Sequence, residues 1–148
     1  NQMSLTLSVM VKPRDLAKIL KQEKADVARG IDRAIGLTAA KGKDIILSRT
    51  KKGVGVNGGF KRYSDTYAIF RKNVLGKVDP NTVNLNATGE MVRNVQSRNK
   101  DSRTAEIYFS NRNAAEKAAW TDRTRPWFSF NDGEENRLSK VFQRELFK

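Results

Sequence analysis

The chain contains no cysteine and no histidine. Without cysteine there are no disulfides, no thiolate nucleophile and no zinc ribbon, a composition that suits a reducing interior. Without histidine the commonest general base and the commonest metal ligand are both missing. An enzyme built from this sequence would depend on carboxylate, lysine or tyrosine chemistry. The acids offer little for that purpose, because they are scattered and half stand beside a cation, as in Lys43–Asp44, Lys100–Asp101 and Asp122–Arg123. Glu134–Glu135 falls at an apparent helix start, where negative charge favours the helix dipole. Long apolar runs are also lacking: none approaches the roughly 18 residues of a membrane span, and nothing resembles a signal peptide. The expectation is a non-enzymatic protein with no catalytic residues, no cofactor, no metal and no place in a membrane.

What the chain has in quantity is positive charge. Its 148 residues carry 29 lysines and arginines against 16 acids, a net charge of +13. The isoelectric point is near 10.3 and the mean hydropathy −0.66. A small soluble domain is comfortable with a net charge of roughly 2–8 in magnitude, so this excess points to nucleic acid, an acidic partner or a membrane surface. The length fits a single domain over residues 1–148 with a real core. The charge is densest at Arg49–Arg62, RTKKGVGVNGGFKR, where Gly53, Gly55, Gly58 and Gly59 are set among Arg49, Lys51, Lys52, Lys61 and Arg62. Glycines cannot pack a core and cations cannot be buried unpaired, so 49–62 is expected to be an exposed, flexible basic loop that contacts DNA or a protein partner.

Hydrophobic periodicity predicts an α+β protein. Leu5, Leu7, Val9 and Val11 alternate with polar neighbours and predict a strand that Pro13 stops. From Arg14 to about Ser48, Leu16, Ile19, Leu20, Val27, Ile31, Ile35 and Ile46 recur mostly at helical steps, a rod on the order of 50 Å. Gly30, Gly36 and Gly42 interrupt it every six residues and mark a bend, a break or the close approach of another element. Ser64 or Asp65 is placed to cap a short helix, Asp79–Pro80–Asn81 to turn, and Val83 and Leu85 to form a brief strand. Thr88 opens a helical turn with Met91, Val92 and Val95 inward. The polar stretch Gln96–Arg103 reads as a hairpin tip, Ala105, Ile107 and Phe109 as a strand, and Asn113–Trp120 as a short helix. Asn131 or Asp132 would cap a last helix with Leu138, Val141, Phe142 and Leu146 on its apolar face.

Two motif matches fail on context. Gly53-Val54-Gly55-Val56-Asn57-Gly58 has the dinucleotide-binding spacing, but it follows a helix instead of a strand and opens no helix. Asn86-Ala87-Thr88 is a glycosylation sequon only by pattern. The aromatics Trp120, Trp127, Phe128 and Phe130 could stack on bases, yet their place between two helices is that of anchors closing a core or a subunit interface.

In order, the segments Arg49–Thr50 to Gly58–Gly59–Phe60, Tyr63–Tyr67, Val83–Met91, Ala105–Phe109 and Arg125–Pro126–Trp127–Phe128 form a series. It resembles the tail-completion and head–tail joining (neck) proteins of long-tailed double-stranded-DNA bacteriophages. Those proteins carry an arginine- and glycine-rich loop ending in Phe and Tyr-Ser, a threonine-glycine turn, a strand, an alanine-rich helix and an Arg-Pro-Phe step. Trp127 stands here where phenylalanine is usual. The resemblance implies an α+β subunit with a long N-terminal helix packed on a small, mostly antiparallel sheet, a C-terminal helix and a long exposed Gly/Lys-rich loop. It implies a structural virion protein of the neck or tail end, a homo-oligomeric ring, most often a hexamer. The ring would complete the tail and join it to the head, against neighbouring adaptor or tail-tube proteins and around a DNA-passing lumen. Thr88–Gly89 would fix the turn, Arg125–Pro126 would direct the last helix, and Trp120, Trp127 and Phe128 would be core or interface. The loop would face either DNA or a neighbouring ring. The second is preferred here, since a strongly cationic lumen would hold DNA back. The alternative is a stand-alone nucleic-acid-binding domain gripping phosphates through the loop and Arg93, Arg98, Lys100 and Arg103.

Overall fold

The computed structural model describes residues 5–10, 25–77, 83, 89–101 and 103–147. It is α+β. In chain order the elements are β1 (Leu7–Met10), α1 (Ala25–Lys51), β2 (Val54–Gly55), β3 (Gly58–Gly59), α2 (Asp65–Asn73), α3 (Glu90–Arg93), β4 (Val95–Asp101), β5 (Thr104–Phe109), α4 (Arg112–Thr124) and α5 (Asp132–Leu146). The expected start of the first helix at Arg14, the turn at Asp79–Asn81, the sequon and the strand residue Leu85 lie outside the described residues. Two compact units emerge, one chiefly from Ile46–Val95 and Phe109–Ser129, the other from Thr6–Ile45, Gln96–Tyr108 and Phe130–Lys148.

In the second unit the sheet order is β1-β5-β4, with β1 antiparallel to β5 in the register Leu7↔Ile107 and Val9↔Ala105. The central strand is the most apolar, with Ala105 and Ile107 fully buried. α1 presents Ile31, Ala34, Ile35, Thr38 and Ala39 to the interior, the three- and four-residue steps of one buried face. It is continuous through all three of its glycines, so neither a break nor a bend explains their six-residue spacing. Each marks a close approach. A Cβ on Gly30 would lie 3.5 Å from Leu146, one on Gly36 2.6 Å from Asn99, and one on Gly42 2.7 Å from the ring of Phe130. At 27 residues the described rod is about 40 Å long. The last helix begins with a capping box in which Asn131 Oδ1 accepts from the Glu134 N–H while Glu134 reaches back to the Asn131 N–H. Its far end is held by Arg33, which donates to the Glu145 carbonyl at 2.6 Å and faces its carboxylate at 3.4 Å.

One sequence expectation is corrected here. Gln96–Arg103 is not merely a hairpin tip, because strand pairing runs to Asp101. β4 lies at the sheet edge, and its polarity is that of an edge strand whose side chains meet water. Arg98 and Lys100 both reach Glu106 on the neighbouring strand, at 3.2 and 3.7 Å, and Arg98 lies 3.9 Å over the Tyr108 ring. These contacts explain why a carboxylate in mid-strand is tolerated at low exposure.

Candidate functional site

The basic glycine segment belongs to the other unit, and its conformation follows from its glycines. α1 continues to Lys51, where the dipole favours the terminal cations Arg49 and Lys51. Gly53, at φ +81°, ends it in the left-handed conformation with its N–H on the Thr50 carbonyl. The chain then turns back on itself, pairing Val54 with Gly59 and Gly55 with Gly58 around the two-residue turn Val56–Asn57. Gly58, at φ +107°, adopts a backbone that an L side chain strains to reach.

This hairpin is fastened at its root to the Arg125–Ser129 stretch. The Val56 N–H donates to the Pro126 carbonyl at 3.0 Å. Arg125 donates back through Nε to the Lys61 carbonyl at 2.9 Å and through Nη2 to the Arg62 carbonyl at 3.2 Å. Arg49 donates through Nη1 to the Trp127 carbonyl at 2.9 Å and through Nη2 to the Ser129 carbonyl. The fit is tight enough that a Cβ on Gly55 would sit 2.3 Å from the Pro126 oxygen. Residues 49–62 are therefore not a free arm, and Arg49 is a half-buried helix residue whose guanidinium holds the aromatic step. Lys51, Lys52, Lys61 and Arg62 remain exposed, and none of the four forms an ion pair among the described residues. The N–H donors of Val56 and Phe60 are engaged by Pro126 and Gly53, which removes them from any phosphate cradle.

The aromatic step is a core. Trp127 is 0% exposed and Phe128 3%. With Phe109 they form a cluster with ring centroids 4.9 to 6.0 Å apart. Asp122 Oδ1 accepts from both the Trp127 and Phe128 N–H groups, at 2.9 and 3.0 Å, so the carboxylate holds the backbone on one side while Arg49 holds it on the other. Of the two places expected for Trp120, core or interface, it is not in the core of this unit. It is 65% exposed, with Arg123 5.1 Å over its ring, because α4 turns Ala114 and Ala118 inward and leaves Trp120 on the opposite face. The other expected turn residues are partly visible. Gly89 is the N-cap of α3 at φ +80°, Met91 is buried as expected, and Thr88 lies outside the described residues.

Beside the hairpin, Lys61, Arg62, Tyr63, Tyr67, Met91 and Trp120 are among the residues lining an open cleft of about 1040 Å³. Tyr63 is its structural hub: the guanidiniums of Arg71 and Arg125 lie 4.8 and 4.9 Å from its ring, and Tyr67 meets it edge-on at 4.8 Å. Lys117 and Glu90 pair across the opposite side at 2.6 Å. α2, capped by Ser64 accepting from the Tyr67 N–H, and its C-cap Val74 expose apolar side chains, with Ile69 60%, Phe70 43% and Val74 66% exposed. The roles of Asp122, Arg71 and Tyr63 were not visible in the sequence. Only the closeness of Asp122 to the aromatic step hinted at the first.

The Asp101 carboxyl is held below the usual range chiefly by the Arg103 N–H, which donates to Oδ1 at 2.9 Å. Among the described residues no group of three or more Asp or Glu could hold a metal, and no helix is long and apolar enough to cross a membrane. No family model matches the chain, and no curated protein or solved structure does either.

Proposed function

We propose that this chain is a structural subunit of a double-stranded-DNA phage virion, at the neck or tail end, working as one member of a ring that completes the tail and joins it to the head. The observation that carries this reading is convergence. Several of the segments whose order resembles the neck proteins lie far apart in sequence, yet they contribute described residues around one hairpin. Pro126 and Arg125 fasten its root, the Val83 carbonyl approaches Gly53, and Gly89 and Met91 line the adjoining cleft. Fixing the root while leaving Lys51, Lys52, Lys61 and Arg62 in water gives a rigid cationic projection. Such a projection meets a neighbour with less ordering entropy than a loose loop would. The exposed Ile69, Phe70 and Val74 supply apolar surface of the kind a subunit contact removes from water.

A stand-alone nucleic-acid binder has less support. Of its proposed phosphate cluster, Arg98 and Lys100 are engaged by Glu106. Negative-stain microscopy of the chain mixed with the portal-side and tail-tube proteins of its own gene neighbourhood tests the proposal. Rings or added density at tail ends are expected, and Ile69→Ser/Phe70→Ser/Val74→Ser is expected to abolish them while leaving the circular dichroism spectrum intact. Absence of any ring or tail-end density, together with salt-sensitive DNA binding by a monomer, would sink it.

A further inference from the structure

We infer that the cleft beside the hairpin is a docking site for an acidic peptide segment of a partner protein, one that carries an apolar side chain between its carboxylates. Two features of the walls select this occupant. Lys61 and Arg62 stand exposed on the hairpin side, without ion pairs among the described residues, while the other lysine of the lining, Lys117, is already neutralised by Glu90. Glu116, also in the lining, pairs with Arg112 at 3.2 Å. The surplus is thus positive but modest and confined to the hairpin side. It matches two or three carboxylates better than the unbroken charge of a nucleic-acid backbone.

The second feature is Trp120. It is 65% exposed, held upright by Arg123, and lines the same cleft as Tyr67 and Met91. A large aromatic left in water at the wall of a concave surface is the residue type that most often dominates a protein interface. At about 1040 Å³ the cleft lies at the upper end of the roughly 300–1,000 Å³ usual for ligand sites, which leaves room for several residues of extended chain. The inference adds a partner chemistry to the assembly reading but does not rest on ring formation, since a single subunit contains the whole cleft.

The test uses the full chain and a fluorescein-labelled decapeptide of alternating glutamate and leucine, followed by anisotropy. Saturable binding is expected, accompanied by a shift of Trp120 emission, while Trp127 stays silent in its core. Trp120→Ala should weaken binding roughly tenfold or more, the scale of a single aromatic anchor. Lys61→Glu/Arg62→Glu should weaken it at least as much and flatten its salt dependence. Lys140→Ala, an exposed charge change on α5, should leave it unchanged. All four positions are exposed, so folding is retained, and the buried-type emission of Trp127 verifies it in each variant. The inference is overturned if the peptide fails to bind, if a glutamine-for-glutamate version binds equally well, or if Lys140→Ala weakens binding as much as Trp120→Ala. It is overturned equally if an oligothymidylate of matched charge binds more tightly through the same residues. Failure here with rings still forming would remove the peptide site alone and leave the assembly proposal standing.

Discussion

Gly55 and Gly59 sit four residues apart on one hairpin, and replacing each by alanine should give opposite results. At Gly59 a Cβ meets nothing within 4 Å and the backbone φ is not positive, so Gly59→Ala restricts only the unfolded chain. It should be neutral or stabilising by about 0.4–1 kcal/mol. At Gly55 the same methyl would lie 2.3 Å from the Pro126 oxygen and 2.5 Å from the Phe60 ring. The first obstacle is backbone fastened on both sides, so the hairpin must lift. Lifting breaks the Val56 N–H bond to Pro126, a loss of about 1 kcal/mol, and adds overpacking of about 1–3 kcal/mol. Set against the same backbone gain, the net is a destabilisation of about 1–4 kcal/mol. For a chain of this size that corresponds to a fall in Tm of roughly 2–14 °C. Thermal unfolding followed by circular dichroism measures both variants, and hydrogen exchange at the Val56 amide reports the lifting directly. Equal melting temperatures for the two would refute the account of a fastened hairpin root.

Arg49→Met should lower stability by about 2–4 kcal/mol in urea unfolding, since it strands the Trp127 and Ser129 carbonyls that a charged donor now satisfies. Arg49→Lys should recover less than half of that, because an ammonium on a flexible stem cannot span both oxygens as the planar fork does. Asn131→Ala removes one side of the α5 capping box and should lose about 1 kcal/mol, seen as a drop in Tm of roughly 2–4 °C. Asp101 gives a pH signature: its carboxyl is depressed in the folded chain, so its support of the Arg103 turn is complete above the ordinary carboxylate range and fades as pH falls through the folded value. The Arg103 amide resonance should move in that acidic window, and Asp101→Asn should abolish the movement.

Elements whose evidence is local were legible in the sequence. The alternation at Leu7 and Val9, the caps at Ser64 and Asn131, and the α5 face at Leu138, Phe142 and Leu146 follow from periods and spacings within a few residues. The period of the α1 glycines was equally visible, but what they admit was not, because Leu146, Asn99 and Phe130 come from distant stretches of chain. The same limit hid the fate of Arg49. Beside lysines and glycines it reads as one more exposed cation, and only the path of residues 125–129 turns it into a clamp. For Trp120 the sequence left core and interface open, and the structure separates them because the alanines of α4 take the inward positions. Polarity at Gln96–Asp101 suggested a tip because an edge strand and a loop both meet water.

The clamp also sets a clock on synthesis. Arg49 and its acceptor Ser129 are 80 positions apart, so the hairpin root has nothing to grip until that much more chain has been made. At roughly 5–20 residues per second this is an interval of about 4–16 s. Throughout it Lys51, Lys52, Lys61 and Arg62 ride on an untethered glycine segment close to ribosomal RNA, the densest polyanion in the cell. The contact that makes the projection rigid in the finished subunit is thus a late one to form in the growing chain. A variant that delays the closing of the Arg125–Ser129 step should show itself first as chain trapped on nucleic acid, before any loss of stability in the folded protein becomes visible.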